Sequence, residues 1–261
     1  MSEHRPLRSY GRTKARTLKP RQAGLVETLL PHLALDLSKE IDVRLPAPLR
    51  GGAGGGGSGG DLSGEPAART PISDSAPQGG GESLDASPLV LEIGFGGGEH
   101  LVAQAAAQPH AHFIGVEPFL NGVASCLRHI EESGVTNVRL HHGDARDVLA
   151  RLPDASLDRV DILFPDPWPK KRHWKRRLIQ PEFVSELARA VKPGGEVHFA
   201  TDWANYAAWT LEVFARAPYF AWTAERAADW RTPWPGHVTT RYEQKRLGDC
   251  APVWLRFARL A

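Results

Sequence analysis

The most chemically loaded stretch of this chain runs from Arg159 to Arg177, RVDILFPDPWPKKRHWKRR. An apolar, strand-like run leads straight into Pro165-Asp166-Pro167-Trp168-Pro169. The prolines fix φ and restrict the residues before them, so Asp166 is expected in an extended, rigid loop. Six cations follow: Lys170, Lys171, Arg172, Lys175, Arg176 and Arg177. Trp168 and Trp174 offer faces on which bases stack, and the cations suit phosphates. Aromatics interleaved with Arg and Lys at such a loop fit RNA better than a small metabolite. The bland alternative is that one of the two tryptophans serves the core.

A second constellation starts at Glu92, E-I-G-F-G-G-G-E, after the apolar run PLVLEIGF. Gly94 and Gly96 let the turn tighten and let a ligand approach the backbone, with the next helix N-terminus behind it. Glu117, 23 residues past Gly94, ends the run HFIGVE, and Asp144 ends HHGD. A glycine turn with a later acid also marks nicotinamide dinucleotide sites, where the acid takes ribose hydroxyls. Glu92, just before the turn, suits the cationic amino group of S-adenosylmethionine (AdoMet) better than a pyrophosphate. Asp144 is placed to accept from an adenine amino group. Helix capping is the structural alternative for Glu117, Asp144 and Asp202, since each precedes a helix-like segment.

The elements that must position these residues alternate. Strand-like runs at 88–95, 112–118, 137–144, 159–167, 196–202 and 253–260 are separated by helical patterns at 99–108, 120–134, 145–152, 181–195 and 204–217. That alternation predicts a doubly wound α/β fold, a mostly parallel sheet with helices on both faces. Ligands of such sheets bind outside the carboxyl ends of the strands, where the acids sit.

Around this core, residues 1–42 form a basic arm with a short amphipathic helix or two, broken at Pro31. Residues 43–87 read as a flexible insert: the span 46–88 holds twelve of the 26 glycines and six of the 21 prolines, too little apolar surface to offset ordering entropy. Residues 88–261 form one domain. The net charge of +2 is uneven: residues 1–22 hold seven Lys/Arg against Glu3, residues 166–177 hold six against Asp166, and the remainder holds 19 basic and 28 acidic residues. Two basic segments on an otherwise acidic protein suit a polyanion. No run of about 18 apolar residues exists, so no membrane-spanning helix is expected, and the basic N-terminus lacks the apolar stretch of a secretory signal. Cys126 and Cys250, far apart and outside any CxxC, suit a reducing cytoplasm. Of the eleven histidines only His141 and His142 are adjacent, facing opposite ways on a strand, so no metal site is expected.

Together, E-I-G-F-G-G-G-E (92–99), F-P-D-P-W-P-K-K-R-H (164–173), A-T-D-W-A-N-Y-A (200–207), T-R-Y-E (240–243) and the early R-S-Y-G-R (8–12) resemble the bacterial tRNA (guanine-N7)-methyltransferases. The resemblance covers roughly 7–30 and 88–261 and leaves out the glycine-rich segment. It implies a class I AdoMet-dependent methyltransferase, a Rossmann-like fold with a seven-stranded sheet, that methylates guanine 46 in the variable loop of tRNA. By matching position it implies that Glu92, Gly94, Gly96, Glu117, Asp144 and Asp166 contact AdoMet, Asp166 being also catalytic. It further implies that Lys170, Asp202 and the segment Thr240, Arg241, Tyr242, Glu243 contact RNA. Asp202 or Glu243 then reads the guanine edge, with helix capping or a plain surface turn as the alternatives. The competing readings are AdoMet-dependent methylation of an exocyclic nucleobase amine through a D-P-P-W-like motif, a non-catalytic RNA-binding module, and a nicotinamide oxidoreductase.

Overall fold

The computed structural model describes residues 17–42 and 87–261; the R-S-Y-G-R segment, most of the basic arm and the glycine-rich stretch lie outside them. In chain order the elements are α1 (Pro20–Thr28), α2 (Leu30–Leu33), β1 (Leu89–Ile93), α3 (Glu99–Ala107), β2 (His112–Val116), α4 (Leu120–Ser133), β3 (Val138–His141), α5 (Ala145–Leu149) and β4 (Leu157–Leu163). A 3-10 turn (Lys171–Arg176), α6 (Pro181–Ala190), β5 (Val191–Thr201), α7 (Ala204–Ala215), β6 (Phe220–Trp222), α8 (Ala228–Arg231), α9 (Arg241–Lys245) and β7 (Val253–Arg259) follow.

The strands form one seven-stranded sheet in the order β3-β2-β1-β4-β5-β7-β6, and only β7 runs antiparallel to its neighbours. This is the doubly wound, mostly parallel architecture expected. Alternation along β1 explains its two-sided burial. Leu89, Leu91 and Ile93 join the core under α6 and α7, with Phe183, Leu187, Tyr206 and Phe214. Val90 joins the opposite core under α3 and α4, with Leu101, Val102, Val123 and Leu127. Leu25 of α1 and Leu33 of α2 enter that second core, and Ile41 enters the first. Residues 20–41 thus pack onto the sheet's helices, and Arg21 of the basic arm pairs with Glu131 of α4 at 2.6 Å.

Several boundaries differ from the sequence reading, and two of the differences have a direct structural cause. The helix expected over 181–195 stops at Ala190, because Val191 already pairs with Leu157 of β4. The fourth strand stops at Leu163, because Phe164 turns into the left-handed region at φ +51°. β6, at three residues, carries no alternation long enough to register in the sequence. Among the described residues no helix is long and apolar enough to cross a membrane.

Candidate active site

The strand order reverses between β1 and β4, and β1, β2, β3 and β4 all end on one rim. A cavity of about 940 Å³ opens there, and its wall includes Glu92, Glu117, Asp144 and Asp166. The four acids come from four successive strand ends, yet their surroundings differ.

Glu117 is 7% exposed and accepts from the backbone N–H of Gly96 (2.9 Å) and of Phe119 (2.8 Å), one on each oxygen. It therefore shapes the glycine turn as well as lining the cavity. Burial pushes its pKa up to about 7, against those two hydrogen bonds and with the charge of Asp166 adding to the rise. Asp144 is the N-cap of α5, accepting from the Arg146 N–H at 3.0 Å, and it pairs with the Arg146 guanidinium at 3.2 Å. The capping alternative is realised at Asp144 without removing it from the cavity wall.

The turn between β1 and α3 has Gly94 at φ +75°, Gly96 at +54° and Gly98 at +80°. A side chain at Gly94 or Gly96 would meet nothing within 4 Å, so both positions face open space. A Cβ at Gly98 would instead strike Cys126 of α4, so this glycine is needed for packing.

Glu92 is 2% exposed and sits in register opposite Asp161, which lies opposite His198. This row continues into α3, where His100 Nδ1 lies 2.8 Å from the Glu92 carboxylate. Asp161 takes the Arg159 guanidinium at 3.0 Å and His198 Nδ1 at 3.2 Å. Burial raises the Glu92 carboxyl, opposed by His100. Burial lowers His100, but the Glu92 carboxylate outweighs it and the imidazole ends above its ordinary value. Glu92, His100 and Asp161 bring candidate ligand atoms within 4.8 Å of one another, although Asp161 already faces the Arg159 guanidinium there. Sequence reasoning missed this row apart from Glu92.

The Asp166 loop is strained at both ends. Phe164 and Trp168 both take positive φ, +51° and +44°, a conformation that costs a non-glycine residue about 1–2 kcal/mol. Phe164 is held from behind by Trp254 and Tyr242, with ring centres 5.7 and 5.5 Å away. Trp168 lies under the Arg176 guanidinium at 5.0 Å and edge-on to His173. Asp166 itself is exposed at the cavity wall. Trp168 lines the cavity, whereas Trp174 packs inward against Trp209 at 5.7 Å. Of the six cations expected to engage phosphates, Arg177 must be withdrawn, because its side chain is fully buried.

Thr240, Arg241 and Tyr242 line the same cavity, joined by Arg176 and Lys245. Arg241 pairs with Glu99 of α3 at 3.0 Å, which ties α9 to the glycine turn. The three other substrate candidates stand apart from the wall. Lys170 is exposed, just before the 3-10 turn. Glu243 completes a capping box with Thr240, accepting from the Thr240 N–H at 2.9 Å, and lies 3.0 Å from His237 Nε2. Asp202 is 4% exposed and accepts from the Gly248 N–H at 2.8 Å, anchoring the chain before β7. The N-terminus of α7 is served by Asp249 and Thr201, not by Asp202.

A family model described as "Putative methyltransferase" matches residues 86–254. A curated protein of Caulobacter vibrioides named tRNA (guanine-N(7)-)-methyltransferase is 50% identical over 260 residues, covering 98% of this chain and 96% of its own. A protein of the same name from Nitrobacter hamburgensis is 46% identical, covering 96% of this chain and 86% of its own. Among solved structures, the 16S rRNA (adenine(1408)-N(1))-methyltransferase from Catenulisporales acidiphilia is similar at 18% identity and a TM-score of 0.48, covering 67% of this chain and 90% of that one. With both curated relatives matched over nearly their whole length, this chain belongs to the tRNA (guanine-N7)-methyltransferase family.

Proposed function

We infer that this protein transfers the methyl group of AdoMet to N7 of a guanine in tRNA, position 46 of the variable loop. The observation that carries the reading is a cavity in which three strand-end acids, an open glycine turn and the strained Asp166 loop meet. The donor set fits AdoMet: Glu117 offers each oxygen's second lone pair to a ribose diol, Asp144 an acceptor for an adenine amine, and Glu92 a negative charge for an ammonium. Gly94 and Gly96 leave room where any larger residue would project.

AdoMet supplies an electrophilic methyl on a sulfonium. Guanine N7 carries an in-plane lone pair, so no residue is needed to remove a proton first. The protein's task is alignment, which can account for much of the rate. As transfer proceeds, positive charge grows on the purine, and the fixed carboxylate of Asp166 stabilises it. Arg176, Arg241 and Lys245 at the rim, with Lys170 beyond it, suit the phosphates of a nucleotide drawn from the tRNA fold, an extraction that costs a few kcal/mol. Both oxygens of Glu243 are engaged by His237 and Thr240, whereas Asp202 holds Gly248 through Oδ2 and keeps Oδ1 buried without a hydrogen-bond partner among the described residues. Reading the guanine edge would cost Glu243 a present contact and would require Asp202 Oδ1 to be uncovered. A cytoplasmic location is part of the same proposal and is supported by the tRNA substrate it names.

Asp166→Ala tests the assignment. The residue is exposed, so the variant folds, and turnover falls 100-fold or more. Near-normal methyl transfer by the variant removes Asp166 from the mechanism.

A further inference from the structure

We propose that Arg177 is a positioning residue for methyl transfer, holding the Asp166 loop from inside the protein rather than binding RNA. The inference rests on the reading that Asp166 acts in the transfer.

In sequence Arg177 is the last of six cations and looks like the rest. Lys170, Lys171, Arg172 and Lys175 are exposed and Arg176 is half-buried, whereas Arg177 is 0% exposed. Its guanidinium lies 4.5 Å from the ring centre of Trp174, 4.7 Å from Tyr206 and 5.9 Å from Trp209. Its hydrogen-bond acceptors are neutral oxygens. Nε donates to the Pro167 carbonyl at 2.9 Å, Nη1 to the Asn205 carbonyl at 3.2 Å, and Nη2 to the Asn205 side-chain oxygen. Burial lowers its pKa to about 10, which still leaves it charged at neutral pH. A buried cation persists when hydrogen bonds and aromatic faces replace its hydration, and the planar fork of arginine meets both demands.

The place of the Pro167 contact gives the arrangement its purpose. Pro167 directly follows Asp166, and its carbonyl belongs to the peptide unit leading into Trp168, which takes φ +44°. Holding that carbonyl fixes the peptide plane on one side of Asp166, and the Asn205 bonds tie it to the first turn of α7. Lysine has a single nitrogen at its tip and cannot hold Pro167 and Asn205 in the same planar geometry.

The test uses the full-length protein. Arg177→Lys is compared with wild type for kcat, tRNA KM as a function of salt, AdoMet affinity by calorimetry and thermal melting. Lys171→Ala, on the exposed side of the same block, reports what loss of a phosphate contact looks like: a higher KM and a salt slope shallower by about one. For Arg177→Lys the expected result is a kcat at least tenfold lower, with tRNA KM, salt slope and AdoMet affinity within twofold of wild type. A wild-type kcat, or a loss carried by KM with a shallower salt slope, overturns the proposal. Should Arg177→Lys fail to fold, Asn205→Ala keeps the arginine but removes one of its acceptors. A smaller, kcat-confined loss is expected there, and an unchanged kcat overturns the proposal. Wild-type protein that binds no AdoMet would defeat the underlying reading instead, and that control is run first.

Discussion

Replacing Glu117 by glutamine separates the two tasks of this carboxylate. Its pKa of about 7 against an ordinary 4.5 corresponds to about 3 kcal/mol of preference for the protonated form. The folded-state value is raised, so the stabilisation is complete below pH 4.5 and is lost as pH rises through 7. The ligand-free protein should therefore lose up to about 3 kcal/mol through this group between pH 5 and 8. Cofactor binding runs the opposite way, because two ribose hydroxyls donate best to an ionised acceptor. If only that form binds, the AdoMet Kd rises about 15-fold between pH 7 and 5.5, a window in which the methionine amine stays charged. In Glu117→Gln the amide nitrogen cannot accept, so either Gly96 or Phe119 loses its acceptor, at about 1–3 kcal/mol. The variant is expected to bind AdoMet 10- to 100-fold more weakly at pH 7 and to lose the Glu117 part of the pH dependence in both binding and stability. Titration calorimetry and urea unfolding at four pH values measure both effects. Equal affinities and parallel pH profiles for variant and wild type would refute the assignment of Glu117 to the ribose and the pKa argument with it.

The glycine turn should respond differently at neighbouring positions. Gly98→Ala places a Cβ against Cys126 at φ +80° and is expected to cost about 2–4 kcal/mol in urea unfolding. Gly96→Ala faces open space, costs about 1 kcal/mol of backbone strain, and shows its main loss in AdoMet affinity. Deleting residues 1–16, which stops short of the Arg21–Glu131 pair, should raise the tRNA KM and flatten its salt dependence. An unchanged salt slope would remove the arm from RNA binding.

The layout of the fold was open to reading because strands buried on both faces are continuous apolar runs and the intervening helices are long enough to keep their period. The strand-end acids were legible for the same reason: each stands where an apolar run stops. What escaped were contacts between distant segments. His100, Asp161 and His198 form a row with Glu92 only through strand register, although a lone charged residue inside VDIL or VHFA was a local hint of something buried. Arg177 was indistinguishable from its neighbours in a run of cations, since burial depends on α7 bringing Tyr206 and Trp209 beneath it. Thr240-Arg241-Tyr242-Glu243 carried a signal that went unread. A threonine followed three residues later by glutamate is the pattern of a capping box, and that is the structural use of Thr240 and Glu243.

The atom that receives the methyl group distinguishes this enzyme from other nucleobase methyltransferases. Wild-type protein incubated with labelled AdoMet and unmodified tRNA, followed by borohydride and aniline treatment, gives strand scission at each N7-methylguanosine. The predicted result is label incorporation with a single break at position 46. Incorporated label without scission would place the methyl at an atom other than guanine N7, an exocyclic amine among them, and contradict the assigned reaction.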